Sequence, residues 1–230
     1  MDFSIVIPFY NEEDNVEEVV SGIDAVLADR DIQYEIVAVD NGSFDNTGKI
    51  LGQLRESIPN LKILRIEENQ GYGWGIINGL RWTSGNYIGF MCGDNQIEPT
   101  EILNVYDKIV TDNLDLCKVR RVKRQDGLFR KLISFFYNII CPTLFLIKAT
   151  DLNGTQKIFK KSIFENLDLV SKGWFIDAEI MIKFSKAGYK IGDVPVVFKK
   201  RRKGYSKINL KAVFSFIKEM LIYRMNHIKI

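Results

Sequence analysis

Histidine is nearly absent from this sequence: its 230 residues hold one, His227, close to the C-terminal end, where it reads as a surface residue and not as a catalyst. Cysteine is scarce too. Cys92, Cys117 and Cys141 have no metal-ligand spacing, and their odd number favours a reducing compartment over a disulfide framework. Long apolar runs are missing: the nearest, Phe135 to Ile147, is uncharged but short of the roughly 20 residues a spanning helix needs, and is broken by Pro142. Charge of one sign hardly dominates, because a net +3 is too mild to argue for nucleic acid. No internal repeat, low-complexity segment or long linker is present. Met1-Asp2-Phe3-Ser4 runs straight into a strand-like stretch, so no targeting segment is expected before the fold.

What remains is an ordinary globular composition, 46% hydrophobic and 27% charged, in a chain long enough for one sizeable core. The basic residues are uneven. Lys118, Arg120, Arg121, Lys123, Arg124, Arg130 and Lys131 form one cluster, and Lys199 to Lys203 with Lys207 another. Such clusters are usually solvated surface, and they also suit phosphates or an anionic membrane face.

The first half alternates strand and helix. Apolar runs at 3–7, 35–39, 61–66 and 87–91 read as buried strands. Helical spacing fills 12–27, 45–58, 72–83 and 99–110, with Pro99 in a first turn. This rhythm predicts an α/β fold: a mostly parallel central sheet with helices on both faces, and ligands bound outside the carboxyl ends of the strands. The later part is less regular, with a helix expected over 175–187 and a strand over 193–198. The polar motifs fall at the strand ends: Pro8-Phe9-Tyr10-Asn11-Glu12, Asp40-Asn41-Gly42-Ser43-Phe44-Asp45 and Cys92-Gly93-Asp94-Asn95-Gln96.

Each motif has a chemical and a structural reading. Asp40 and Asn41 can hydrogen-bond a base or ribose, or simply build a strand-to-helix turn. Asn69 to Gly75 can bring backbone and a helix N-terminus to a phosphate, or its glycines can serve close helix packing. It is a poor dinucleotide fingerprint. Asp94 and Gln96 offer oxygen, which suits Mg²⁺ or Mn²⁺, and Mg²⁺ takes only one or two protein carboxylates when substrate phosphate and water complete its shell. Cys92 reads as a small buried residue and not as a ligand. Asp177 and Glu179, beside aromatics, can bind acceptor hydroxyls or act as a general base, or can supply charge to a helix N-terminus.

Taken together these motifs resemble the inverting family-2 glycosyltransferases of GT-A fold. Val39 to Thr47 is similar to that family's nucleoside loop, with Asn41 in place of its second Asp. Cys92 to Gln96 is similar to its metal loop, with Cys92 in place of its first Asp. Within the family the chain looks most like the dolichol- or polyprenyl-phosphate hexose synthases, on Arg121, Arg130-Lys131, Asn153 to Phe159, Phe175 to Glu179 and Arg201 to Lys207. The resemblance implies one GT-A domain over 1–230, with a nucleotide-sugar half (1–114) and an acceptor half (115–230) that ends in an amphipathic helix. It implies metal-dependent, inverting transfer of a hexose from a UDP- or GDP-sugar to a polyprenyl or dolichyl phosphate. The alternatives are a saccharide hydroxyl acceptor and a non-catalytic nucleotide-sugar binder.

By the same resemblance Asp94 and Gln96 hold the metal, and Pro8, Tyr10, Glu12, Asp40, Asn41, Gly71, Gly93 and Asp94 hold the nucleotide. Arg121, Arg130, Arg201, Ser206 and Lys207 receive the acceptor phosphate, and Asp94, Asp177 and Glu179 are the catalytic candidates. The expected setting is the cytoplasmic face of a membrane, peripherally, with a homo-oligomer possible and no nucleic acid partner. The apolar run 135–147 and the shared face of Leu210, Val213, Phe214, Ile217 and Leu221 fit a lipid acceptor, and fit core or dimer packing equally well.

Overall fold

The computed structural model describes residues 1–124, 128–201 and 210–227, with the side chains of 123–136, 210–213 and 227 left aside. Three parallel βα units open the chain. They are β1 (Phe3–Phe9) with α1 (Val16–Ala28), β2 (Tyr34–Asn41) with α2 (Thr47–Ser57), and β3 (Leu61–Ile66) with α3 (Tyr72–Arg81). Then come β4 (Tyr87–Phe90), α4 (Glu101–Thr111), β5 (Leu116–Arg124), α5 (Leu128–Phe145), β6 (Lys157–Lys160), α6 (Lys161–Phe164), α7 (Ile176–Lys186), β7 (Ile191–Phe198) and α8 (Leu210–His227). They form a seven-stranded sheet of order β3-β2-β1-β4-β6-β5-β7. All neighbours are parallel except β6, which runs antiparallel between β4 and β5.

The mostly parallel sheet follows from the composition of its central strands. β1 and β2 are buried along their whole length, as strands covered on both faces must be. One face packs Phe3, Ile5, Ile7 and Ile36 against α1, α2 and α4. The other packs Val6, Val37, Val39, Phe90 and Phe159 against α3, α5, α7 and α8.

Three features differ from the sequence reading. β1 and β2 extend to Phe9 and Asn41, so Pro8, Asp40 and Asn41 lie on the last strand residues and not in loops. β6 is not read as a strand from the sequence; four residues flanked by Gly154 and a short helix carry too little period to be read so. The apolar run 135–147 is helical through Pro142, which stands one turn from the end of α5. The proline forfeits one late hydrogen bond there, and Thr143 Oγ1 donates to Ile139 O at 2.8 Å. No helix among the described residues is long and apolar enough to cross a membrane.

Candidate active site

The parallel order places the carboxyl ends of β1, β2 and β4 side by side. The loops after β1 and β2 interlock: Asn11 N donates to Ser43 Oγ (3.0 Å), Phe44 N to Asn11 Oδ1 (3.0 Å) and Glu12 N to Thr47 Oγ1 (2.9 Å). Asp40 is buried, accepts from Ser43 N at 3.0 Å and forms an ion pair with Arg65. Asn41 Nδ2 donates to Gly71 O at 3.0 Å, while its buried Oδ1 has no hydrogen-bond partner. Tyr10 stands half-buried, edge-on to the exposed Phe44 ring, with centroids 6.1 Å apart.

The glycine-rich start of α3 does not present a free helix terminus. Gly73 N donates to Gly173 O at 3.2 Å and Trp74 N to Lys172 O at 2.9 Å. A methyl group on Gly73 would fall 2.2 Å from Ser171 O, and one on Gly79 would fall 2.3 Å from Val6 Cγ1. The glycines therefore allow the helix to meet the 171–173 loop on one side and the sheet on the other. Of the two sequence readings, close packing is the one visible here. Gly71 enters the site through its carbonyl, which orients Asn41.

Gly93 fits against the Phe9 ring, where an added methyl would lie 2.5 Å away. Asp94 is half-buried; burial raises its carboxyl above the usual range, opposed mainly by the Arg201 guanidinium. Gln96 is buried. Its N–H donates to Asp94 Oδ1 at 3.3 Å, and its side-chain Nε2 donates to Lys199 O at 2.8 Å. With the amide nitrogen so committed, the remaining polar atom of the Gln96 side chain is its oxygen. Asp94 and Gln96 thus make a two-oxygen set of the kind a hard cation accepts when substrate phosphate completes its shell. No cluster of three His, Cys, Asp or Glu side chains able to hold a metal occurs among the described residues. Cys92 is placed with its Sγ 3.3 Å from the Tyr72 hydroxyl, and Tyr72 stacks on Trp174 at 5.0 Å. Burial, and then the neighbouring Asp94, push the Cys92 thiol up to about 12, which disfavours the thiolate a metal would need.

The segment that follows β7 returns the chain to this site. Lys199 N donates to Gln96 O at 2.9 Å, and Arg201 forms an ion pair with both carboxylate oxygens of Glu12. Glu12 also accepts from Asn15 Nδ2 at 2.7 Å. Residues from opposite ends of the chain therefore enclose Asp94.

Asp177 and Glu179 begin α7 and are both buried. Asp177 forms an ion pair with Lys157 of β6, whose ammonium also donates to Gly154 O at 2.9 Å. Glu179 is 0% exposed and accepts from Val170 N (3.0 Å) and Ser171 N (2.8 Å), with Lys183 Nζ at 3.1 Å. It fixes the loop that caps α3. Arg121 is engaged by Asp151 through its backbone N–H (2.7 Å) and its guanidinium. The Arg130 side chain, Ser206 and Lys207 lie outside the described residues.

Sequence reasoning missed Lys157, Asp151 and Tyr72. It also read Lys118 with the solvated basic cluster, whereas the structure buries it at 2% exposure. The available signal was position: Lys118 lies inside Leu116-Cys117-Lys118-Val119, and Lys157 opens Lys157-Ile158-Phe159, both apolar runs of the sheet.

Comparison with known proteins places this geometry. The profile of "Glycosyl transferase family 2" matches residues 4–168, and the chain belongs to that family. It is 29% identical over 227 residues to a dodecaprenyl-phosphate galacturonate synthase of Rhizobium johnstonii, covering 96% of this chain and 66% of that protein. It is 30% identical over 233 residues to a dolichol-phosphate mannosyltransferase of Pyrococcus furiosus, covering 98% of this chain and 64% of that protein. The chain thus spans about two thirds of the length of these relatives. Among solved structures it resembles glucosyl-3-phosphoglycerate synthase of Mycobacterium tuberculosis, crystallised with Mn²⁺, uridine diphosphate and phosphoglyceric acid, with a TM-score of 0.72 and 17% identity over 99% of this chain and 80% of that one. It also resembles TarS 1–349 of S. aureus in complex with UDP-GlcNAc, with a TM-score of 0.64 and 18% identity over 100% of this chain and 68% of that one. The fold is GT-A.

Proposed function

We propose that this chain carries out inverting transfer of a hexose from a UDP- or GDP-sugar to a polyprenyl-type lipid phosphate. One observation carries the choice of acceptor. Both carboxylates that could deprotonate a sugar hydroxyl are engaged elsewhere, Asp177 by Lys157 and Glu179 by the Val170 and Ser171 N–H groups. A phosphate acceptor is already an anion and needs no base. The two curated relatives, named for dodecaprenyl and dolichol phosphates, support the same reading.

In this reading the first 114 residues hold the donor. Asp40, Asn41, Pro8 and Tyr10 surround the nucleoside, and the unpartnered Asn41 Oδ1 supplies an acceptor for a base or ribose N–H or O–H. Gly93 lets the backbone approach the diphosphate. Asp94 and the Gln96 oxygen would hold Mg²⁺ or Mn²⁺, which when bound neutralises charge on the departing diphosphate. Arg201, held by Glu12 beside Asp94, adds positive charge at the same place. The acceptor phosphate oxygen attacks the anomeric carbon from the face opposite the diphosphate. The new C–O bond forms as the old one breaks, and its electron pair leaves with the nucleoside diphosphate.

Residues 115–230 form the acceptor side, with Arg121, Arg130, Arg201, Ser206 and Lys207 assigned to the acceptor phosphate. α8 leaves Phe214 (71%), Ile217, Leu221, Ile222 and Met225 (82%) exposed, an apolar face suited to lying on the cytoplasmic surface of a membrane or against a second copy of the chain. Leu210 and Val213, expected on the same face, have side chains outside the described residues.

The test incubates the protein with labelled UDP- and GDP-hexoses, Mn²⁺ and either a polyprenyl phosphate or saccharide acceptors. Label moving into the lipid phosphate fraction supports the proposal. Label moving only into saccharide favours a hydroxyl acceptor, and donor binding without any transfer favours a non-catalytic binder.

A further inference from the structure

β5 and β6 bring two buried lysines together in register, Lys118 beside Lys157, with exposures of 2% and 0%. Their ammonium groups approach the same spot. Lys157 Nζ donates to Gly154 O at 2.9 Å, and a methyl on Gly154 would lie 2.0 Å from Val119 O, the atom that Lys118 Nζ meets at 3.4 Å. Lys157 has Asp177 as its ion-pair partner. Lys118 has none among the described residues; that one long bond to a carbonyl is its hydrogen bond. Asp151, whose Oδ2 would lie 3.2 Å from the same methyl, is held by Arg121. Asp193, paired with Lys118 along β7, is turned to Arg120 at 3.1 Å. The described charges around Gly154 are therefore three cations, Lys118, Lys157 and Arg121, against two carboxylates, Asp151 and Asp177. The turn above them adds buried polar atoms without partners: Asn153 Oδ1 and both amide atoms of the fully buried Gln156.

A buried ammonium without a counter-ion is costly and is retained where something repays it. We infer that Lys118, with Lys157, forms an anion-binding site beneath the Asn153–Gln156 turn that receives the phosphate of the acceptor. This rests on the lipid-phosphate reading above and adds a residue to it. Of the arginines assigned to the acceptor from the sequence, the two whose side chains are described are already engaged, Arg121 by Asp151 and Arg201 by Glu12, whereas Lys118 has its charge to offer. Displacement of the turn admits the anion, and the Gln156 amide then has a phosphate oxygen to donate to. Site formation and acceptor binding are one event, and a neutral prenyl alcohol gains nothing from it.

The experiment measures binding of farnesyl phosphate, farnesol and inorganic phosphate by calorimetry to the wild-type chain and to Lys118→Met, a variant of similar length without charge. Lys118→Gln repeats the comparison should the first variant fold poorly. UDP with Mn²⁺ serves as the control ligand, because Lys118 lies outside the nucleotide loops. The expected result is that the wild type binds farnesyl phosphate over farnesol, and that the variant loses about tenfold or more of that affinity while binding the control ligand unchanged. Farnesyl phosphate bound equally by wild type and variant overturns the Lys118 site and leaves the lipid-phosphate reading standing. Inorganic phosphate bound in a Lys118-dependent way, with no preference for the prenyl compound, keeps the anion site and overturns the lipid reading. A wild type that binds neither phosphate overturns both.

Discussion

Arg201 and Glu12 are 189 residues apart in sequence, yet the Arg201 guanidinium meets both oxygens of the Glu12 carboxylate. The pair ties the segment leaving β7 to the first loop of the chain. Between them that segment exchanges two hydrogen bonds with Gln96, through Lys199 N and Lys199 O. The loop bearing Asp94 is thus held from above by a strap whose far end is anchored on Glu12.

Cutting the anchor should loosen the site before it unfolds the protein. Arg201→Ala removes this ion pair from the largely buried Glu12, at a cost of about 1–3 kcal/mol. Denaturant unfolding checks the stability. Calorimetry with UDP and Mn²⁺ checks the site, where weaker nucleotide binding is expected. Unchanged nucleotide affinity would show that the strap does not matter to the donor.

Asp94→Ala should separate function from stability. Burial already raises this carboxyl group above its usual range, so the charged form is held at a cost. Its removal is expected to leave the melting temperature equal or higher while the Mn²⁺-dependent part of nucleotide binding disappears. Thermal melts with and without Mn²⁺ and UDP read both effects.

Cys92→Asp places a second carboxylate two residues from Asp94. Mn²⁺ should bind more tightly in the presence of UDP. Without metal the variant should lose roughly 1–3 kcal/mol, because a desolvated acid replaces a thiol resting on Tyr72. A Mn²⁺ titration and a melt in chelator test the two signs separately.

Glu179 is expected to act by holding the 170–171 loop and not as a base. Glu179→Ala should destabilise by about 3 kcal/mol or more, since the Val170 and Ser171 N–H groups and Lys183 lose a fully buried acceptor. Glu179→Gln, which keeps an acceptor oxygen, should recover part of that stability and most of the transfer rate. A lost acidic limb in the pH–rate profile of Glu179→Gln would instead mark a base.

Lys118 gives a pH signature. Burial, and then the neighbouring Lys157, lower its ammonium from 10.5 to about 8, with Asp151 and Asp193 opposing and Arg121 adding to the shift. The unfolded chain therefore binds more protons between pH 8 and 10.5, so stability rises with pH across that window, and below it the penalty is present in full. Lys118→Met should be more stable than wild type near neutral pH, by on the order of 3 kcal/mol. That advantage should shrink as pH climbs from 8 towards 10.5. Urea unfolding of the two proteins at three pH values checks the difference.

The first half of the fold was legible because its strands are apolar throughout and its helices keep their period. The polar loops had to fall at strand ends, where Asp40, Asp94 and Glu12 are found. β6 was not legible: four residues gain their strand character from β4 and β5 on either side, which are distant in sequence. Lys118 and Lys157 were misjudged or unseen for a related reason. Local pattern assigns lysine to solvent, and only the packing of the turn around Gly154 and of α7 against these strands puts the two lysines out of it.

The sequence by itself determined the alternation of strand and helix, the parallel sheet and the identity of the loops that meet at its edge. Those follow from apolar period and turn chemistry, which act over a few residues. Tertiary structure decided which charges face which. Arg201 reaches Glu12, Lys157 takes Asp177 and Glu179 turns to a loop, while Lys118 is left over. Such pairings depend on distances across the sheet, and electrostatic energy follows distance and burial, which no local pattern encodes.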